Sequence, residues 1–171
     1  RLGARLVTVH ATGGRAMLRR AVERARKEGG TLDVCAVTVL TSLDDSDLEE
    51  IGLTGPPAGA PAADGSRSRA SLAAEGLARL AYDEGVRWFV CSPAEVATLR
   101  RQLGADAVLV TPGVRPMTAG AGDQKRVATP EQAIRDGADW LVVGRPIRDA
   151  QDRLEAARAI TAAATNARAS A

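Results

Sequence analysis

Five short apolar runs alternate along the chain with longer segments whose apolar positions recur at helical spacing. The runs, rich in Val, Leu and Ile, are Arg5–His10, Asp33–Leu40, Val86–Cys91, Ala107–Thr111 and Trp140–Gly144. They are almost continuously apolar and do not alternate with polar residues, which is typical of parallel strands covered on both faces. The pattern therefore predicts five buried parallel strands.

The segments between these runs predict helices with recognisable ends. Ser92 before Pro93 and Thr129 before Pro130 are expected N-caps, and Gln132 stands at the capping-box position of Thr129. We expect the residues after the last helix, 165–171, to fray. The predicted helices are Gly14–Glu28, Leu43–Ile51 (capped by Ser42 or Asp44), Leu72–Glu84, Pro93–Leu103, a helix from Thr129 to Gly137, and Arg153–Ala164.

Strict alternation of strand and helix implies a parallel sheet with right-handed crossovers. An open doubly wound sheet and a closed (β/α)8 barrel both fit that alternation. One segment interrupts it, because Gly55–Arg69 is rich in Pro, Gly, Ala and Ser. We interpret this segment as a flexible surface insertion without usable chemistry.

Composition narrows the classes of function. Lys and Arg number 23 against 21 Asp and Glu, and aromatic residues make up 2% of the 171 residues. This balance gives no support for binding to nucleic acid or to a membrane surface. No apolar run approaches the roughly 20 residues that span a bilayer, and no secretory signal is visible, so a cytoplasmic location is expected.

The two cysteines and the first residue add two further expectations. Cys35 and Cys91 are far apart in sequence and fit no metal or redox spacing, so we expect buried, reduced thiols. The chain opens with Arg1 and a strand follows within a few residues. We therefore expect a cut or incomplete chain, either a natural truncation or an incomplete record.

Ligands of parallel α/β folds bind at the carboxyl ends of strands, so the residues after each run are candidates. His10, the single histidine, ends the first run and is a possible acid–base group or a packing residue at the mouth. Thr41 and Ser42 follow the second run, where their hydroxyls can bind a polar ring or cap the next helix.

The last two runs carry the strongest signal. Pro112, Gly113 and Arg115 follow the fourth run and open a loop of small and polar residues that ends in Asp123-Gln124-Lys125-Arg126. Gly144 and Arg145 end the fifth run. The glycine lets a backbone N–H approach a phosphate, and the arginine supplies a fork of donors. Because (β/α)8 barrels build phosphate sites from their last two strand-to-helix loops, the pattern favours a barrel over the doubly wound sheet.

Several motifs, in order, resemble one family. They are VHATGG around His10, AVTVLTS (Ala36–Ser42), VCSPAE (Val90–Glu95), TPGVRP (Thr111–Pro116), GDQKR (Gly122–Arg126), TPEQA (Thr129–Ala133) and VVGRPI (Val142–Ile147). Together they resemble the bacterial orotidine 5′-phosphate decarboxylases over nearly the whole chain except the Gly55–Arg69 insertion.

The resemblance implies a (β/α)8 barrel of which residues 1–171 form one incomplete domain, strands four to eight with their helices. It implies a homodimer without metal or organic cofactor that converts orotidine 5′-monophosphate to uridine 5′-monophosphate and carbon dioxide. Thr41 would contact the pyrimidine, and Arg115 and Gln124 would lie on a closing loop. Gly144 and Arg145 would hold the 5′-phosphate. Neither nucleic acid nor a membrane is an expected partner.

The sequence departs from the family in one respect. The family's chemistry depends on a charged Asp-x-Lys-x-x-Asp cluster on its first three strands, which this sequence does not contain. We therefore expect no catalytic residue in this chain, no activity from the chain alone, and poor stability from open sheet edges. The alternatives are another phosphate-binding barrel, such as a hexulose-phosphate synthase or phosphosugar isomerase, and a non-catalytic phosphate-binding fragment.

Overall fold

A computed structural model describes residues 3–27, 29, 31–53, 67–116 and 127–170, and contains one parallel sheet. Its five strands are β1 (Leu6–His10), β2 (Asp33–Val37), β3 (Trp88–Val90), β4 (Val108–Thr111) and β5 (Trp140–Leu141). Each strand pairs in parallel with its neighbour in sequence, in the order β1-β2-β3-β4-β5. A doubly wound sheet would reverse its strand order at a switch point, so the sequential order is that of a barrel wall.

Seven α-helices accompany the strands in the described part of the chain. They are α1 (Gly14–Lys27), α2 (Asp45–Glu50), α3 (Arg69–Asp83), α4 (Pro93–Leu103), α5 (Pro130–Arg135), α6 (Arg145–Arg148) and α7 (Arg153–Ala169).

The main core lies between one face of the sheet and helices α1, α3 and α4. Ala36, Phe89 and Leu109 stand side by side in the strand register and are fully buried. Leu18 of α1 and Leu99 of α4 belong to the same buried cluster. Covering this face removes large apolar side chains from water, and each contributes about 1.5–3 kcal/mol to folding.

The opposite face of the sheet is less covered and carries both tryptophans. Trp88 and Trp140 have register partners on β4 two residues apart, so their side chains share this face. Their rings stack with centroids 6.3 Å apart. Trp140 is nevertheless 57% exposed, and Leu6, on the same face of β1, is 38% exposed. Among the described residues, β1 pairs only with β2 and β5 only with β4.

A polar clamp joins the amino ends of β4 and β5. The guanidinium of Arg100 on α4 donates to the carbonyls of Gly104, Ala107 and Gly137, and to Asp139 Oδ2 at 2.6 Å. Asp139 Oδ2 also accepts from the backbone N–H of Leu109. The strands that lead to the last two loops are therefore fixed at their base.

The expected caps are present, with local differences. The backbone N–H and hydroxyl of Ser92 both donate to Glu95, and Thr129 Oγ1 accepts from Gln132 N. The Gln132 side chain donates to Asp136 and does not close the predicted capping box. Asp44 caps α2, so capping by Ser42 was wrong.

The predicted start of α3 and the predicted end of α7 were also wrong. Helix α3 begins at Arg69, inside the segment assigned to the insertion, because Ser68 caps it and Asp45 accepts from Ala70 N. Helix α7 continues to Ala169 instead of fraying after Ala164, because Ala167 is buried and Arg168 donates to the Asp139 carbonyl.

Candidate functional site

A cavity of about 300 Å³ lies at the carboxyl ends of β4 and β5. It is where sequence reasoning expected phosphate-binding groups to converge. Its walls come from the two segments that follow these strands: Pro112, Gly113, Val114, Arg115, Val142, Gly144, Arg145, Pro146 and Arg148.

The β4 side is held by a short parallel bridge between Val114 and Ala128. Arg115 N donates to Ala128 O at 2.9 Å, and Ala128 N donates to Gly113 O at 3.4 Å. Gly113 has φ +78°, a left-handed conformation that suits glycine and turns the chain here. These contacts fix the backbone of Arg115 at the cavity wall.

The β5 side is fixed to β4 by one backbone hydrogen bond just before the glycine. Val142 N donates to Thr111 O at 2.9 Å. A Cβ built on Gly144 would meet no atom within 4 Å, so the space beside its backbone is open. Arg145 is the first residue of α6, a single turn in which Arg148 N donates to the Gly144 carbonyl.

Arg148 is a cavity residue that sequence reasoning missed. Its guanidinium forms two hydrogen bonds with Asp149, Nε to Oδ1 at 2.6 Å and a terminal nitrogen to Oδ2 at 2.9 Å. The hydrogen bond from Arg148 holds the pKa of the Asp149 carboxyl below its usual value, helped by the nearby charges of Arg145 and Arg153. The spacing could have indicated Arg148, since it lies one helical turn after Gly144, the residue that caps the same short helix.

Among the described residues, the other predicted site residues Thr41, Ser42 and His10 do not line this cavity. Thr41 is buried in the turn after β2, and Ser42 beside it is half-buried. His10 is the exposed last residue of β1, on the same sheet face as Val37. Gln124 lies outside the described residues, so its predicted place on a closing loop stays a prediction.

A small buried cluster holds the segment that carries Thr41. Val39 and Leu48 pack with Ala70, Ala73 and Ala74, which ties this segment and α2 to the start of α3. The hydroxyl of Thr38 donates to the Val90 carbonyl at 2.9 Å. This small buried cluster and the hydrogen bond to β3 therefore hold the segment that carries Thr41.

The cysteines do not add a reactive group. Cys35 and Cys91 are buried free thiols, as the sequence predicted. Burial raises the pKa of each to about 12, so both stay protonated at neutral pH. Within the described ranges, no group of three or more His, Cys, Asp or Glu side chains is arranged to hold a metal ion. No helix in that part of the chain has the length and apolar character needed to cross a bilayer.

Comparison with known proteins shows which family the chain resembles. The sequence model described as "Orotidine 5'-phosphate decarboxylase / HUMPS family" matches residues 1–160. Curated relatives include orotidine 5′-phosphate decarboxylases from Anaeromyxobacter dehalogenans, 52% identical over 160 residues, and Frankia casuarinae, 50% identical over 161 residues. These alignments cover 94% of this chain but 63% and 53% of the two relatives.

The fold comparison agrees. The crystal structure of orotidine 5′-phosphate decarboxylase from Lactobacillus acidophilus superposes with a TM-score of 0.72 at 32% identity, covering 95% of this chain and 64% of that one. An uncharacterized conserved protein from Geobacillus kaustophilus gives 0.68 at 29% identity. The predicted α/β barrel class is confirmed, and the chain belongs to the orotidine 5′-phosphate decarboxylase / HUMPS family.

Proposed function

We propose that this chain forms the phosphate- and pyrimidine-binding part of an orotidine 5′-monophosphate decarboxylase of pyrimidine biosynthesis. The observation that carries the proposal is the cavity in which Arg115 from the β4 loop meets Gly144 and Arg145 from the β5 loop. Two guanidinium groups and an accessible stretch of backbone suit a phosphate dianion. The orotidine part of the proposed substrate is inferred from the names of the relatives.

The roles of individual residues follow from their positions. Arg145 binds the 5′-phosphate oxygens through its guanidinium, and the backbone at Gly144 donates from the side left open by the missing Cβ. Arg115 approaches from the opposite wall, with Pro112 and Gly113 shaping the turn that carries it. Thr41 contacts the pyrimidine and Gln124 closes over the ligand; Ser42 and His10 are secondary candidates at neighbouring strand ends.

Decarboxylation needs groups beyond this binding site. The bond between the pyrimidine ring and its carboxylate breaks, carbon dioxide leaves, and the carbanion takes a proton from a neighbouring acid. The sequence has two lysines: Lys27 ends α1, on a helix, and Lys125 lies outside the described residues. Since the sequence has no Asp-x-Lys-x-x-Asp cluster, we propose that turnover requires such a cluster in addition to these residues.

A binding experiment with a chimera as its second arm tests this function. We expect the 171-residue chain to bind uridine 5′-monophosphate more tightly than uridine and to release no carbon dioxide from orotidine 5′-monophosphate. Joined to the part of the Anaeromyxobacter relative that it does not cover, it should decarboxylate, and Arg145→Gln should raise the KM of that chimera. Equal binding of nucleotide and nucleoside would contradict the phosphate site, and turnover by the chain alone would contradict the need for the cluster.

The same chimera separates the alternatives. A hexulose-phosphate synthase or phosphosugar isomerase would act on sugar phosphates instead of orotidine 5′-monophosphate, and a non-catalytic module would bind phosphate in either form without turnover. We propose for the active enzyme a cytoplasmic homodimer that needs neither metal nor organic cofactor. Activity that survives exhaustive chelation, together with sedimentation at the mass of two chains, is the expected result.

A further inference from the structure

A third arginine borders the proposed phosphate cavity. Arg148 lines it together with Arg115 and Arg145, although the sequence assigned it no role. It lies three positions after Arg145, and the single turn of α6 brings the two arginines to the same cavity. A guanidinium at this position adds positive charge where a phosphate dianion would bind.

Arg148 already has an anionic partner that a ligand must replace or share. Its Nε and one terminal nitrogen bind the two carboxylate oxygens of Asp149, which uses two of the five guanidinium N–H groups. The side chains are 68% and 55% exposed, so water competes for this ion pair and its net stabilisation is small. Such a pair can exchange its carboxylate for a phosphate at little cost.

The carboxylate of Asp149 also places a negative charge beside the cavity. Arg148, Arg145 and Arg153 all favour its ionised form and keep its pKa low. At neutral pH the carboxylate is therefore charged and offsets part of the positive potential of the arginines. A phosphate that approaches the cavity meets both the attraction of Arg148 and the repulsion of Asp149.

We propose that Arg148 is a further phosphate-binding residue and that Asp149 is the carboxylate with which the ligand's phosphate competes for it. This inference rests on the proposed function, because it concerns the same cavity. Arg148 contributes to the affinity for the phosphate group and not to recognition of the pyrimidine. Asp149 acts through Arg148. It holds the guanidinium at the cavity wall, and by competing with the phosphate it lowers the affinity for that group.

The test measures dissociation constants for inorganic phosphate and uridine 5′-monophosphate by titration calorimetry on the 171-residue chain. Arg148→Gln should weaken both about threefold to tenfold, the loss expected for an exposed charge-assisted contact. Arg158→Gln, on an exposed face of α7, changes the net charge equally and should leave both constants unchanged. Asp149→Asn should strengthen both about twofold to fivefold, and should have less effect when Arg148→Gln is also present.

The variants separate this inference from the function on which it rests. If Arg145→Gln abolishes phosphate binding while Arg148→Gln behaves like Arg158→Gln, Arg148 is no ligand and the inference is overturned with the proposed site intact. If Asp149→Asn weakens binding, the competing role of Asp149 is wrong. If the unaltered chain shows no saturable binding of phosphate or nucleotide, both this inference and the proposed site are overturned. Melting temperatures of the variants show whether a loss of affinity comes from a loss of folding.

Discussion

At the scale of single residues, Gly144 and Gly137 allow folding and ligand binding to be tested separately. A Cβ on Gly144 meets nothing, and its φ of −104° is open to other residues. Gly137 has φ +107°, and a Cβ there would lie 3.0 Å from Arg100 Cγ. One glycine leaves space beside a cavity, whereas the other is required by the chain's own packing.

We predict that Gly144→Ala keeps the melting temperature but weakens phosphate binding by about tenfold, because its methyl group fills the space beside the backbone donor. Gly137→Ala should show the opposite result, a loss of about 1–2 kcal/mol in stability with unchanged affinity. Thermal melting and phosphate titration of both variants check this pair. An unaltered affinity in Gly144→Ala would argue that the phosphate does not approach this backbone.

The buried thiols predict a dependence of stability on alkaline pH. Cys35 and Cys91 have folded-state pKa values of about 12 against 9.0 for a free thiol. Between these values the unfolded chain loses thiol protons that the folded chain keeps, so stability is complete below pH 9 and falls as pH rises. The slope is at most about 1.4 kcal/mol per pH unit for each thiol.

Urea unfolding at several pH values from 8 to 11 measures this slope. The Cys91→Ala variant should show a shallower decline than the unaltered chain, since one of the two thiols is gone. Tyr82, whose pKa is raised by its hydrogen bond to Asp106, is present in both proteins and does not affect the comparison. Identical slopes in the two proteins would refute the assignment to buried thiols.

At the scale of elements, the Arg100–Asp139 clamp links helix α4 to the strands that carry the cavity. Asp139 Oδ2 accepts from both Arg100 and Leu109 N, and its side chain is 39% exposed. We predict that Asp139→Asn lowers stability by about 1–2 kcal/mol, less than for a fully buried charged hydrogen bond because solvent screens the pair.

A matched control comes from the exposed pair on α1. Glu23 lies 3.5 Å from Arg20 with side chains 46% and 85% exposed, so Glu23→Gln should change stability by less than about 0.5 kcal/mol. Denaturant unfolding of both variants gives the comparison. Equal effects would mean that the clamp contributes no more than an ordinary surface ion pair.

The elements also show what the sequence can and cannot predict. The apolar runs located all five strands. The expected burial on both faces is wrong for β1 and β5, which are largely exposed and have one strand partner each among the described residues. Strand β5 ends at Leu141 instead of Gly144, since its pairing with β4 stops there. Helix α7 runs past its predicted end because of a contact with Asp139, which is distant in sequence. Arg145 was predicted from its adjacent glycine, whereas identifying Arg148 required knowing that residues 145–148 form a single turn beside the cavity.

At the scale of the whole molecule, the uncovered sheet face predicts self-association. Trp140 is 57% exposed on this face, and β5 has one strand partner among the described residues. Exposed apolar side chains beside an open edge favour pairing between chains. We predict that sedimentation velocity shows concentration-dependent association, which Trp140→Lys reduces.

Leu154 belongs to helix α7 and not to the sheet, and it is 59% exposed, so Leu154→Lys is the control of equal exposure. It should leave the association unchanged. A reduction as large as that of Trp140→Lys would indicate nonspecific association of exposed apolar side chains and not a specific contribution of the open sheet face.

The sequential strand order has a consequence for how the molecule is made. Since each of the strands β2 to β5 pairs with the strand synthesised just before it, the sheet can grow during translation, each unit docking on the last. The cavity needs Arg115 and Arg148 together, so it is completed only when residues past 148 have left the ribosome. A nascent chain arrested before residue 148 has emerged would contain most of the sheet, yet added phosphate would not protect it against proteolysis.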